Sequence, residues 1–155
     1  MKKIHVECNA DEMLVKKLGF TRKMITHHSG KSKLFNKIRL FNNELALVDE
    51  DPGSPKTSYE KKLKYISESY GVKQYTDHAH NHILVLGGKL EDWLVSTCKD
   101  NKIDLQRFNL PSEPNRLHEI TSSNHLNNYE RLLDHLLVSD IPAINTLKEL
   151  LNKYT

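Results

Sequence analysis

Four short apolar runs, each followed by a stretch with helical periodicity, constrain this chain more than any other feature. They are "KKIHVE" (2–7), "KMITHH" (23–28), "ELALVDE" (44–50) and "HILVLGG" (82–88), the last strongest at Ile83 to Leu86. Three of the intervening stretches repeat apolar residues every three or four positions. They are Leu14, Val15 and Leu18, then Leu34, Phe35, Ile38 and Phe41, then Leu90, Trp93, Leu94 and Thr97. Strands that alternate with helices predict a mainly parallel α/β sheet of about four strands covered on both faces. Asn9 with Glu12 three residues on is a capping-box pattern for the first helix, and Gly19 ends it.

Between the third and fourth runs, "SYEKKLKYISESYG" reads as a solvent-facing helix, and "FNLPSEPNR" as a loop. Two amphipathic helices are expected at the end, about 123–138 and Pro142 to Tyr154. A length of 155 residues suits one domain, with a core over about 2–105 and a helical C-terminal extension over about 120–155. No apolar run approaches a membrane span, the "MKK" start leads into a strand and not a signal sequence, and two cysteines make no disulfide framework. The expected compartment is a reducing cytoplasm.

Charge is uneven along the chain. Residues 1–43 hold ten Lys/Arg and three Asp/Glu, a balance of +7, whereas residues 44–155 hold thirteen and seventeen, a balance of −4. Such a split suits a protein that attracts polyanions and gathers acids elsewhere, although uneven surface charge alone also produces it. In a parallel sheet, ligands bind beyond the C-terminal strand ends. Glu7, Asp49, Asp51 and Glu91 all fall at that rim. On extended backbone Asp49 and Asp51 point the same way, and Glu50 points away. Three carboxylates (Glu7, Asp49, Asp51) suit Mg²⁺ or Mn²⁺. A solvated acidic turn is the competing reading of "DEDPG".

"VECNADEMLVKKLG" resembles the first motif of the TOPRIM domain, a strand ending in Val-Glu with an acid, Asp11, four residues on. "ALVDEDPGS" resembles its second motif, a strand running into Asp-x-Asp. "ITHHSGKSKLFNKIRL" is similar to the segment between these motifs in the OLD (overcoming lysogenization defect) nucleases. "KLEDWLV" resembles a Leu/Ile-Glu-x-Trp-Leu segment of OLD-like and related small TOPRIM proteins. The resemblance covers roughly residues 2–97. Cys8 departs from it, standing where a Gly commonly follows the Glu, and the ATPase domain of full-length OLD proteins is not among these 155 residues.

The resemblance implies a Rossmann-like, TOPRIM-like fold and a divalent-metal-dependent nuclease acting on DNA or RNA, with a role in defence against mobile elements by analogy. Glu7, Asp49 and Asp51 would be catalytic and bind a first ion, with Glu7 assisting proton transfer. Asp11 and Glu91 are candidates for a second ion. Glu91 is equally readable as a helix N-terminal acid.

"HHSGKS" is not a Walker A loop, because Ile25 stands where the leading Gly belongs. Gly30 and Lys31 at a helix start, with Lys33 and Lys37 after them, are candidate nucleic-acid contacts, and a solvated basic face is the alternative for the last two. His78, His80 and His82 would share a face if extended, which leaves a metal site or a polar loop open. Trp93 reads as core. A non-catalytic metal- or nucleic-acid-binding module, with the C-terminal helices docking a partner protein or a second copy, is the alternative to an enzyme.

Overall fold

The computed structural model describes residues 1–155 and contains a six-stranded mixed sheet. Its strands are β1 (Ile4–Val6), β2 (Ile25–His27), β3 (Leu45–Asp49), β4 (Lys64–Ser69), β5 (Val72–Thr76) and β6 (His82–Leu86). They lie in the order β2-β1-β3-β6-β5-β4. The β2, β1, β3 and β6 strands are mutually parallel, and β5 and β4 add an antiparallel edge. The helices are α1 (Asn9–Lys17), α2 (Lys31–Ile38), α3 (Ser58–Lys61), α4 (Leu90–Asp100), α5 (Pro114–Thr121), α6 (Asn127–Val138) and α7 (Pro142–Tyr154). No helix is long and apolar enough to cross a membrane.

The four parallel strands are those expected, and the other two correct the expected helix over 58–71. Only Ser58–Lys61 is helical there, held by a capping box in which Thr57 Oγ1 accepts from the Glu60 N–H and Glu60 Oε2 from the Thr57 N–H. The chain then turns back through Tyr70 and Gly71, both at positive φ (48° and 74°), between paired Ser69 and Val72. Two positive-φ residues form the turn that matches the twist of a two-residue hairpin.

A large apolar core lies on one face of the sheet and a smaller one, built on Leu34, Phe35 and Ile38 of α2, on the other. The large core joins α1, α4, α6 and α7 against Ile4, Val6, Leu45, Leu47, Leu84 and Leu86. Tyr154 stacks on His82 with ring centroids 3.8 Å apart, and its hydroxyl donates to Gln74 Oε1 at 3.0 Å. The C-terminal helices therefore belong to the main core and are no appendage to it. Leu132, Leu133, Leu136, Ile144, Leu147 and Leu151 are buried, so the apolar stripes of these two helices are core.

Three smaller expectations also change. Cys8, not Asn9, precedes α1 without a side-chain cap, because Glu12 is drawn to Lys16, Arg22 and His27 instead. Phe41 lies beyond the end of α2 and is 41% exposed. The stretch 114–121 is a helix with Pro114 in its first turn. On the α2 face His5 is buried, its Nδ1 2.8 Å from His28 Nε2.

Candidate functional site

The parallel order brings β1, β3 and β6 side by side, and their C-terminal ends deliver three acids to one rim. Glu7 follows β1, Asp49 ends β3, and Glu91 sits in the first turn of α4 just after β6. Asp11 joins them from the first turn of α1. Backbone donors stitch the rim together. Glu7 Oε1 accepts from the Asp49 N–H at 3.0 Å, and Asp49 Oδ1 from the Leu90 N–H at 3.0 Å. Glu91 Oε1 accepts from the Thr121 hydroxyl and lies 3.2 Å from His118 Nδ1. Asp11 Oδ2 accepts from the Cys8 thiol at 3.1 Å.

Like charges this close repel, and burial adds to the cost of ionising them. Burial, with Asp11, Glu7 and Glu91 beside it, lifts Asp49 from an ordinary 3.8 to about 8. Burial and the charges of Glu7 and Glu91 raise Asp11 to about 7. Glu7 is raised mainly by burial, with the Asp49 N–H and Lys31 opposing. Burial and the Asp11 charge push the Cys8 thiol upward, which argues against a nucleophilic thiolate. Asp11 Oδ1 and Glu91 Oε2 are buried with no hydrogen-bond partner. Orphaned carboxylate oxygens are costly, and an all-oxygen donor set suits a hard divalent cation. No three His, Cys, Asp or Glu side chains yet stand close enough together to ligate an ion, so binding one requires the carboxyls to close inward.

Asp51 departs from the expected geometry. The strand ends at Asp49, and Asp51 has φ 47° with its N–H donating to the Gly88 carbonyl at 2.7 Å. Its Oδ2 accepts from Ser54 Oγ at 2.7 Å, so Asp51 does not share the orientation of Asp49 through extended backbone. It still lies near enough to raise Glu7 by its charge. Glu50 does point away, onto Lys73 Nζ at 3.0 Å.

Lys31 donates to the carbonyls of Asp49 at 2.6 Å and Glu50 at 3.1 Å, and pairs with Glu60 at 3.1 Å. It clamps the end of β3, a role that arises from tertiary contacts with carbonyls 18 and 19 residues away and with Glu60 and so has no local sequence signal. Gly30 precedes α2 at φ 109°. Lys33 is exposed and donates to Ser29 Oγ, while Lys37 lies over the Phe41 ring. The three histidines do not share a face. Asp77 Oδ1 accepts from the Ala79 and Asn81 N–H groups, curling the loop so that His80 has φ 61° and only His82 lies on a strand. His118 and Thr121 were also missed, since nothing local in the sequence ties them to Glu91 27 and 30 residues away.

A cleft of about 720 Å³ opens beside this rim, between the Tyr70–Gly71 turn, Gly87–Gly88, α4 and the start of α7. No protein-family model, curated protein or solved structure matches the chain.

Proposed function

We propose that this protein is a divalent-metal-dependent nuclease that cleaves phosphodiester bonds of DNA or RNA, on a TOPRIM-like fold of the OLD type. The observation that carries the reading is the gathering of Glu7, Asp11, Asp49 and Glu91 on one rim, where burial and then their mutual repulsion raise Asp11 and Asp49 far above ordinary carboxyls. Groups so perturbed at the C-terminal edge of a parallel sheet are functional-site candidates. Glu7 and Asp49 would hold a first Mg²⁺ or Mn²⁺, with Asp51 assisting from its turn, and Asp11 and Glu91 a second. A divalent ion there supplies Lewis-acid stabilisation of charge on the phosphodiester oxygens.

The chain's own residues do the rest. Glu7, half-buried and held above an ordinary carboxyl mainly by burial, would assist proton transfer. Lys31 keeps the end of β3 in place, and the Leu90 N–H orients Asp49. Lys33, exposed at the rim end of α2, would meet the nucleic-acid backbone, and Lys37 would extend that contact one turn on.

A non-catalytic binding module is the second reading, favoured by the burial of Asp11 and Glu91 to 1% and 3% exposure. Incubating plasmid, single-stranded DNA and RNA with Mg²⁺, Mn²⁺ or EDTA separates the two. Cleavage abolished by EDTA and in the Asp49→Ala/Asp51→Ala double variant supports the enzyme. Binding without cleavage in every metal supports the module.

A further inference from the structure

The cleft beside the acid rim has a chemistry of its own. Its charged side chains are Asp92 and Asp100, and no Lys or Arg lines it, so it disfavours phosphate and favours groups that donate N–H. Gly88 has φ 76°, and a Cβ there would meet Asp92 Oδ2 at 2.8 Å, so the Asp92 carboxylate packs directly on the Gly88 backbone at the cleft wall. One wall is Trp93, whose Nε1–H donates to the Tyr70 carbonyl at 2.9 Å. Lining it too is Tyr70, 61% exposed and presented by the two-residue hairpin turn that holds it at φ 48°. One end adjoins the rim, where the Asp51 N–H donates to the Gly88 carbonyl.

We infer that this cleft binds a nucleobase bearing an exocyclic amino group, stacked on Tyr70, with the amine donating to Asp92 or Asp100. The inference rests on the nuclease reading for its biological sense, because it seats a substrate base next to the proposed cleavage site. Its physical basis is separate. An aromatic face accepts any base, whereas a carboxylate favours adenine, cytosine and guanine. Uracil offers only an imino N–H between two carbonyls, which a carboxylate repels.

The sole tryptophan makes the test direct, because its single indole N–H resonance reports from the cleft wall. The full chain is titrated with adenosine, cytidine, guanosine and uridine in EDTA, so neither metal nor cleavage enters. The expected result is a saturable shift with the three amino-bearing nucleosides, and affinity for uridine weaker by about ten-fold or more. Tyr70→Asn, which tolerates positive φ, should weaken all binding by roughly 5- to 150-fold. Asp100→Asn, on the exposed end of α4, should narrow the gap between uridine and the others. No indole shift with any nucleoside, or equal affinity for uridine, overturns the inference. Nucleoside binding in a protein that cuts nothing removes the nuclease reading alone, and cutting without nucleoside binding removes this inference alone.

Discussion

Replacing Asp49 by Asn should stabilise the protein at alkaline pH, and the structure gives the size and window of the effect. The folded state holds a proton on Asp49 up to about pH 8, whereas an unfolded chain releases it near 3.8. A raised carboxyl binds more protons folded than unfolded, so its stability contribution is full below 3.8 and is lost as pH rises toward 8. Burial moves His5 the other way, from 6.5 to about 4, so its contribution is present above 6.5 and is lost as pH falls toward 4. The two oppose each other below pH 6.5, and the carboxyl effect stands alone between about 6.5 and 8.

Full ionisation of Asp49, raised from 3.8 to about 8, corresponds to an upper bound of about 6 kcal/mol at 1.36 kcal/mol per pH unit. Asp11 and Glu7 are raised as well and share the proton uptake with it, so roughly 2–3 kcal/mol is expected above pH 8. For a chain of this size that is a rise of about 5–10 °C in Tm for Asp49→Asn. The amide oxygen can still accept the Leu90 N–H, so the cap geometry is kept. Thermal scans in EDTA at several pH values measure it. A wild-type Tm that does not fall above pH 6.5, with an Asn variant no more stable at pH 8.5, would refute the electrostatic reasoning.

Other substitutions probe the supports of the site. Lys31→Met strands the Asp49 and Glu50 carbonyls and Glu60, and should cost about 1–3 kcal/mol in urea unfolding. Tyr129→Phe removes the buried hydroxyl that donates to the Ala10 carbonyl at 2.9 Å and should cost about 1 kcal/mol by the same measurement. Gly71→Ala sets a Cβ 3.0 Å from Trp93 Cδ1 at φ 74°, so a loss of about 1–2 kcal/mol with a shifted indole N–H resonance is expected.

Strong periodic signals carried the fold. Leu45–Val48 and Ile83–Leu86 are continuous apolar runs because both sheet faces are covered there, and β1 and β2 follow the same logic. The antiparallel edge was hidden because β4 is exposed along nearly its whole length and lacks the burial alternation that marks a strand. Its legible signal was Tyr70-Gly71, a two-residue turn read as a helix end. Glu7, Asp49 and Glu91 were legible because position after a strand fixes their rim. Asp51 was misplaced because spacing of two implies a shared face only while the backbone stays extended, and it turns left-handed one residue after Glu50. The Lys31 clamp and the Thr121 and His118 contacts to Glu91 are products of tertiary placement.

The central claim is that this rim of carboxyls takes up a divalent cation. Calorimetric titration of Mn²⁺ into the wild-type protein and the Asp49→Asn variant, at a pH of about 8 where Asp49 ionises, tests it most directly. The account predicts saturable binding with proton release in the wild type, and affinity reduced about ten-fold or more in the variant. Heats indistinguishable from buffer in the wild type, or equal affinity in the two proteins, would contradict it.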